Sequence, residues 1–510
     1  MALCDVIYTL EIDYGAGWVD VSDDLNYVSI RRGFSDPLSR VAIQGSASFR
    51  MENTARTFSP PLVGALLPRL PVRLTMSYLG VPIVLFTGSI RNISPTPSIC
   101  TPRKLSTLEC VDDMELLDIY EGEIAILVDT HADTIITFVV AAAYAPAGTN
   151  YEAGVTQFPV AADRWSYQGI SMNSGREGPT ETIVATQKIL DACVSDWGSF
   201  FIAKNGDPTF FNRHHMILHG TTELTLDNTM FDMDYQMSTQ EIINHVEVTC
   251  YPRSIGVVPE VVGRLSQNSP PSIEAAATQI YILYFRDPVD QTVELGCLSP
   301  IDPDLAPGKD IYATDDPAGV GADLTANIVT VVTDYGDRVE LALTNNAAVT
   351  AYIQILQIRG FAVRSREPVT LVSRDNVSIA AYGRRKLSLN APLISDPDDA
   401  QNLADYLIDV YKDPLDELPS VTFSAHTNDT LMEAARDLEL FDRVSITEDQ
   451  TGVTGLFFIY SIQHVIKDNY NHAVTLGLMK AYSLGADPAL WGADPDAAEW
   501  APGGSGVWVY

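Results

Sequence analysis

The chain has 510 residues, enough for about three or four domains at ~100–200 residues each. It carries 66 Asp and Glu against 32 Lys and Arg, and the net charge of −34 excludes a dominant grip on nucleic acid or an anionic membrane, since both need a basic face. Only 19% of residues are charged and 46% are hydrophobic, so a disordered acidic polymer is excluded too.

In chain order, residues 1–115 read as β. Val6, Tyr8, Leu10 and Ile12 alternate with polar residues, the period of a half-buried strand. Gly15-Ala16-Gly17 makes a turn into Trp18–Val21. Tyr27–Gly33, Ala42–Arg50, Val72–Tyr78, Ile83–Ile90 and Leu105–Val111 follow as further strands. Many short strands at regular spacing point to a barrel or sandwich.

Residues 116–258 bring helices. Thr130 is placed to cap a helix from about Ala132 to Tyr144, stopped by Pro146. A second helix is expected over Glu181–Trp197, with Gly198 as its stop. Ser199–Ala203 and Thr209–Asn212 then form a hairpin, with Asn205-Gly206 supplying the positive φ values of a tight turn. Ile242, Asn244, Val246 and Val248 alternate as a strand, Asn244 being the one polar member of that face.

Residues 259–364 read as an inserted β-sandwich, in which Asp337–Thr344 and Val349–Ile358 form a hairpin around Asn345-Asn346-Ala347. Residues 365–484 open with a strand through Val369, Leu371 and Val372. Ser395-Asp396 caps a helix with Pro397 in its first turn, and Ala400, Leu403, Ala404, Leu407, Ile408 and Tyr411 share one face. Leu440–Ile446, Leu456–His464 and Ala473–Leu478 are strands. Residues 485–510 form an extended tail whose Trp491, Trp500 and Trp508 suggest docking on a neighbour.

Nothing in Met1–Asp5 resembles a signal peptide, and the most apolar stretch, Ile135–Ala145, falls short of the ~20 residues that span a bilayer. Cys4, Cys100, Cys110, Cys193, Cys250 and Cys297 are scattered, with no Cys-x-x-Cys pair for zinc or iron–sulfur ligation. They suit synthesis in a reducing compartment.

Residues 1–115 carry a net charge of only −2, whereas 116–258, 259–364 and 365–510 carry −12, −8 and −12. Candidate chemistry is sparse. His215 and His219 stand four apart, next to His214, but they follow a strand and enclose no acidic residue, so polar surface outweighs metal binding. Asp396, Asp398 and Asp399 lack the Gly and Glu of a calcium loop, and the helix dipole already accounts for them. No nucleophile elbow, phosphate loop or dinucleotide fingerprint is present. No catalytic, cofactor-binding or metal residue is therefore assigned, and no cofactor is expected. Arg31-Arg32 and Arg384-Arg385-Lys386 are basic spots in an acidic chain, read as local ion pairs or contacts with an acidic neighbour.

The order of several motifs resembles the tail-tip or baseplate hub proteins of tailed phages. Tyr27–Gly33 leads to Gly45–Asn53 and Thr57-Phe58-Ser59-Pro60. Pro71-Val72-Arg73-Leu74, Leu85–Ile90 and Leu108-Glu109-Cys110-Val111-Asp112 follow. This sequence of motifs looks like the opening β domain of phage minor tail proteins. Ala351–Gly360 is similar to the closing strand of a sandwich insertion in them. Ser378–Arg385, the helix after Pro397 and Leu438–Val444 look like the hub's second tube-forming domain.

The resemblance implies an α+β, mainly β, multidomain protein: two tube-type β-barrel domains (1–115 and 365–484), a mixed α/β middle region (116–258), the inserted sandwich (259–364) and the tail (485–510). It implies a pseudo-repeat, with Leu85–Ile90 and Leu456–Ile462 as equivalent strands, so that a homotrimer presents six similar domains to a six-fold tube. The expected role is structural and non-enzymatic: closing the distal end of a siphophage tail, anchoring tip proteins and opening for genome ejection. Expected partners are the distal tail protein, tail tube, tape measure protein and central fibre or receptor-binding proteins. DNA would pass without specific binding, along a net negative lumen, while Arg31, Arg32, Arg384 and Arg385 face neighbouring protein. A tail adhesin is the main alternative, a cell-wall hydrolase a lesser one. No lysozyme or peptidase segment is recognisable, nor the clustered cysteines that hold an iron–sulfur cluster in some tail tips.

Overall fold

The computed structural model describes residues 6–97, 104–122, 127–161, 183–218, 220–237, 242–265, 269–287, 289–290, 293, 295–306, 309–335, 338–414, 416–467 and 471–481. The expected tail with Trp491, Trp500 and Trp508 lies outside these residues, as do His219, Cys4 and Cys100.

The alternating segments near the start of the chain become strands β1 (Val6–Asp13), β2 (Trp18–Asp20), β3 (Leu25–Gly33), β4 (Ile43–Glu52), β5 (Pro71–Tyr78), β6 (Val81–Thr96) and β7 (Leu105–Val111). Their inward residues, among them Leu10, Ile30, Phe49, Leu74, Phe86 and Leu108, are fully buried. Each such side chain contributes roughly 1.5–3 kcal/mol by leaving water. A second set follows: β8 (Leu224–Asp227), β9 (Asp232–Met237), β10 (Asp416–Ser424), β11 (Arg443–Glu448), β12 (Val453–Lys467) and β13 (Asn471–Lys480).

All 13 strands belong to one sheet, ordered β9-β10-β13-β12-β3-β4-β7-β6-β5-β1-β2, with β11 on β12 and β8 on β11. The protein is mainly β, at 49% strand and 18% helix, but the expected barrels do not close. The reason lies at β3. Its outer margin pairs with β12, from Tyr27 opposite Lys467 to Gly33 opposite Ser461, so each half continues into the other.

Residues 238–415 separate β9 from β10 and carry most of the remaining elements. Helix α1 (Ala132–Ala143) and helix α2 (Ala185–Asp196) pack in the main core. His131, not Thr130, occupies the N-cap of α1, without a side-chain cap bond. Helix α2 starts later than expected because Ile183–Val184 pairs with Glu121–Gly122 as a short strand. It ends on Trp197, not Gly198, in the left-handed region at φ 59°. The hairpin Ser199–Ile202/Pro208–Phe211 forms, but of Asn205-Gly206 only Gly206 has positive φ, 92°. Its N–H donates to the Ala203 carbonyl, giving a tight turn followed by a glycine bulge.

Helix α3 (Pro397–Tyr411) has the expected Asp396 cap, which accepts from Asp398 N, and the expected face is buried. It packs with a separate sheet of His245–Cys250, Val369–Arg374 and Lys386–Asn390. The strand expected through Val369, Leu371 and Val372 therefore lies outside the large sheet, whereas β8 and β9, from residues read as the middle region, lie inside it.

The sandwich has its own core, separate from the main one. Ala351–Ser365 pairs with five short strands. The other sheet is Thr278–Tyr284, Arg338–Asn345 and Ile328–Asp334. The hairpin expected at residues 337–358 is thus absent: its two arms enter different sheets. Asn345 makes the corner. Its Nδ2 donates to the carbonyls of Ile273, Glu274 and Val349, and its Oδ1 accepts from Ala347 N. No helix among the described residues is long and apolar enough to cross a membrane.

Candidate functional site

The two halves of the large sheet repeat one topology. In chain order, β1, β3, β4, β5, β6 and β7 correspond to β8, β9, β10, β11, β12 and β13. The pairs β3/β4, β4/β7, β7/β6 and β6/β5 recur as β9/β10, β10/β13, β13/β12 and β12/β11, all antiparallel. Only the last pair differs: β1/β5 is antiparallel and β8/β11 parallel. Strands β6 and β12, which hold Leu85–Ile90 and Leu456–Ile462, take the same place in the two halves. Each has a bulge opposite its hairpin partner, at Arg91 and at Tyr460.

The seam between the halves combines a close backbone approach, an aromatic cluster and a buried ion pair. Gly33 ends β3 at φ 118°, and an added Cβ would stand 2.3 Å from the Tyr460 carbonyl oxygen. The next residue, Phe34, donates its N–H to that same oxygen at 2.8 Å. The Phe34 ring meets Phe441 edge-on at 5.3 Å, and Phe201 and Phe211 of the middle hairpin join them. Phe441 itself sits at φ 67°, a conformation costing a non-glycine residue about 1–3 kcal/mol, held by this packing.

Beside the rings, Arg32 Nη1 donates to Glu439 Oε1 at 2.8 Å. Lys204 N donates to Glu439 Oε2 at 3.0 Å, and Lys204 Nζ caps the carbonyls of Arg436 and Leu438. Burial alone would raise the Glu439 carboxyl, but Arg32 and Lys204 hold it below its ordinary range. Burial pushes Lys204 down, against the pull of Glu439. A buried chain continues from β12 to β1: His464 Nδ1 lies 2.9 Å from His472 Nε2, and His472 Nδ1 lies 2.9 Å from Tyr8 Oη. Burial lowers both histidines, His472 to about 3. Such a relay is satisfied with both imidazoles neutral.

Arg32 therefore pairs within its own chain, contrary to the expectation that it faces a neighbour. Arg31 is exposed on β3, opposite Gln463. Arg384 contacts His245 Nε2 at 2.7 Å, Lys386 pairs with Glu247 at 2.7 Å, and Arg385 N donates to Asn244 Oδ1 at 2.7 Å. The face polar residue Asn244 is fully buried, and its Nδ2 also holds Ser378 Oγ and the Gly383 carbonyl.

His214 and His215 are split by their surroundings. Burial lowers His214 to about 4, whereas His215 stacks on Phe211 at 3.8 Å and meets Glu152 at 2.7 Å. Asp398 and Asp399 stand in the first turn of α3, with burial raising Asp399 to about 6. Among the described residues, no group of three or more His, Cys, Asp or Glu is placed to hold a metal ion. Glu439, Lys204, His464, His472 and Tyr8 carried no individual signal in the sequence. Arg32 and Glu439 stand 407 residues apart, and only the fold joins them.

No protein-family model matches the chain, and no curated protein matches it. Solved structures do. The chain is similar to the tail protein from Neisseria meningitidis MC58 at 10% identity and TM-score 0.48, over 95% of this chain and 98% of that one. For the 43 kDa tail protein of prophage MuSo2 from Shewanella oneidensis the values are 9% and 0.46, over 93% and 98%. For prophage tail protein gp18 from Listeria monocytogenes EGD-e they are 9% and 0.39, over 92% and 94%. None of these likenesses reaches a TM-score of 0.5, and none transfers a residue or a role to this chain.

Proposed function

We propose that the chain is a structural component of a phage tail, a homotrimeric hub that closes the distal end of the tail tube. The carrying observation is the repeat: two units of like topology, fused edge to edge in one continuous sheet. Fusion in one chain lets a three-fold assembly offer six similar units to a six-fold tube. The motif order from Tyr27 to Asp112 supports the same reading. The function is mechanical. The hub seats the distal tail protein and the central fibre or receptor-binding proteins, and it opens for DNA to pass from the tape-measure channel. The net charge of −34 suits a lumen along which phosphate slides without counterion-releasing contacts.

The test is the mass of the purified protein and its position on virions by labelled electron microscopy. A trimer at the tail tip is expected; a monomer found away from the tip overturns the proposal.

One observation favours a second reading, a tail adhesin. On one face of the smaller sandwich sheet, Ile280 and Ile282 on one edge strand and Val329 and Val331 on the other are exposed, flanking Ala342 of the central strand. Removal of residues 259–364 separates the two. Particles that assemble but fail to adsorb favour the adhesin; loss of tails favours the hub.

A further inference from the structure

Among the described residues, the seam inside the chain has an unfilled counterpart at each end of the repeat. On one margin, β12 pairs with β11 along Val453–Phe458 and then with β3 along Ser461–Lys467. Its equivalent β6 pairs with β5 along Val81–Ser89, and contacts from Leu70 and Arg69 extend cover to Ile90. From Ile93 to Thr96, no strand among the described residues covers that margin. At the other end, β9, the equivalent of β3, has β10 on one side and no strand among the described residues on the other.

Superposing the bulges at Arg91 and Tyr460 makes Ile93 the counterpart of Ile462, and Pro95 that of His464. The β3/β4 and β9/β10 registers make Met233, Tyr235 and Met237 the counterparts of Val28, Ile30 and Arg32. Arg32 lies opposite Ile462 in the seam. The same register therefore sets Met237 opposite Ile93 and Tyr235 opposite Pro95. Side-chain exposure agrees: Met233 and Tyr235 pack partly against the core, whereas Met237 on the same face is 58% exposed. Ile93 is likewise only partly covered.

We propose that β9 of a second copy of this chain adds antiparallel to the open margin of β6, setting Met237 against Ile93. This inference rests on the ring reading above and names its subunit contact. The contact is head-to-tail, the kind that closes a ring when the rotation per subunit divides a full turn, as the three-fold reading requires. Pro95 lacks an N–H, so the rung opposite Tyr235 forgoes one ladder hydrogen bond, and the pairing centres on Ile93. Within one chain, β6 and β9 stand seven steps apart in the sheet order and do not pair, so a direct link between them joins two chains.

The test is Ile93→Cys with Met237→Cys in the full chain, oxidised mildly and run on a denaturing gel. Directly opposed strand residues stand ~4.5–5.5 Å apart at Cα, within disulfide reach. Covalent dimers and trimers are expected, absent from either single variant, and a mixture of the single variants should give dimers alone. Association in solution without a 93–237 link overturns this contact and leaves the ring intact. A chain that sediments as a monomer without any link overturns both. As a second check, Met237→Lys should lower association at least tenfold with unchanged circular dichroism; unchanged association contradicts the contact.

Discussion

Glu439 is where three parts of the chain exchange charge: Arg32 from the first half, Lys204 from the middle hairpin, and its own second half. Removing one partner of a buried pair costs about 3–5 kcal/mol, because the other charge stays buried. Glu439→Gln should lower unfolding free energy by that order in urea titration. Adding Arg32→Met should recover part of it, since Arg32 Nε and Nη2 find no acceptor in the fold. No recovery would show that Lys204, not Arg32, bears the cost. The histidine relay adds a pH dependence. Above pH ~6.5 both histidines are neutral folded and unfolded. Below it the unfolded chain takes up protons that the fold refuses, so stability falls by on the order of 1.4 kcal/mol per pH unit for each. The loss continues toward pH 3, where His472 titrates in the fold. Between pH 7 and 5, His472→Gln should lose less melting temperature than the parent; an equal loss would show that the relay does not carry the acid sensitivity.

The β3/β12 seam depends on Gly33, whose φ of 118° and contact with the Tyr460 carbonyl leave no room for a Cβ. Gly33→Ala should destabilise by about 2 kcal/mol or more, and hydrogen exchange should rise along Tyr27–Gly33 and Ser461–Lys467 before the rest of the sheet. Uniform exchange across the sheet would contradict a local role. Elements with local causes were legible in the sequence: α3 carries its cap at Asp396, its proline at the first turn and its apolar face within one stretch. The repeat was visible only as a likeness between Leu85–Ile90 and Leu456–Ile462, because 178 residues interrupt the second unit between β9 and β10. The hairpin expected at residues 337–358 failed for a tertiary reason. Asn345 spends its amide on carbonyls of the chain around Ile273 and turns the next strand into another sheet. The seam itself left no local sign, since neither β3 nor β12 encodes its partner beyond an alternating pattern that many strands share.

At the scale of the molecule, one chain supplies two similar units, one internal seam and, among the described residues, uncovered margins at β6 and β9. The sandwich, with its own core between Val262 and Ala362, is inserted between Cys250 and Val369, at the ends of two paired strands of the separate small sheet. Removing residues 259–364 should therefore leave the unfolding of the large sheet intact; its collapse would show that the two cores fold as one. The most direct measurement is a cryo-electron microscopy reconstruction of the purified assembly. The account predicts a three-fold ring of six β units, alternately first and second halves, with Met237 against Ile93 at each subunit contact and a net negative lumen. A ring in which each chain contributes a single unit, or a basic lumen, would contradict it.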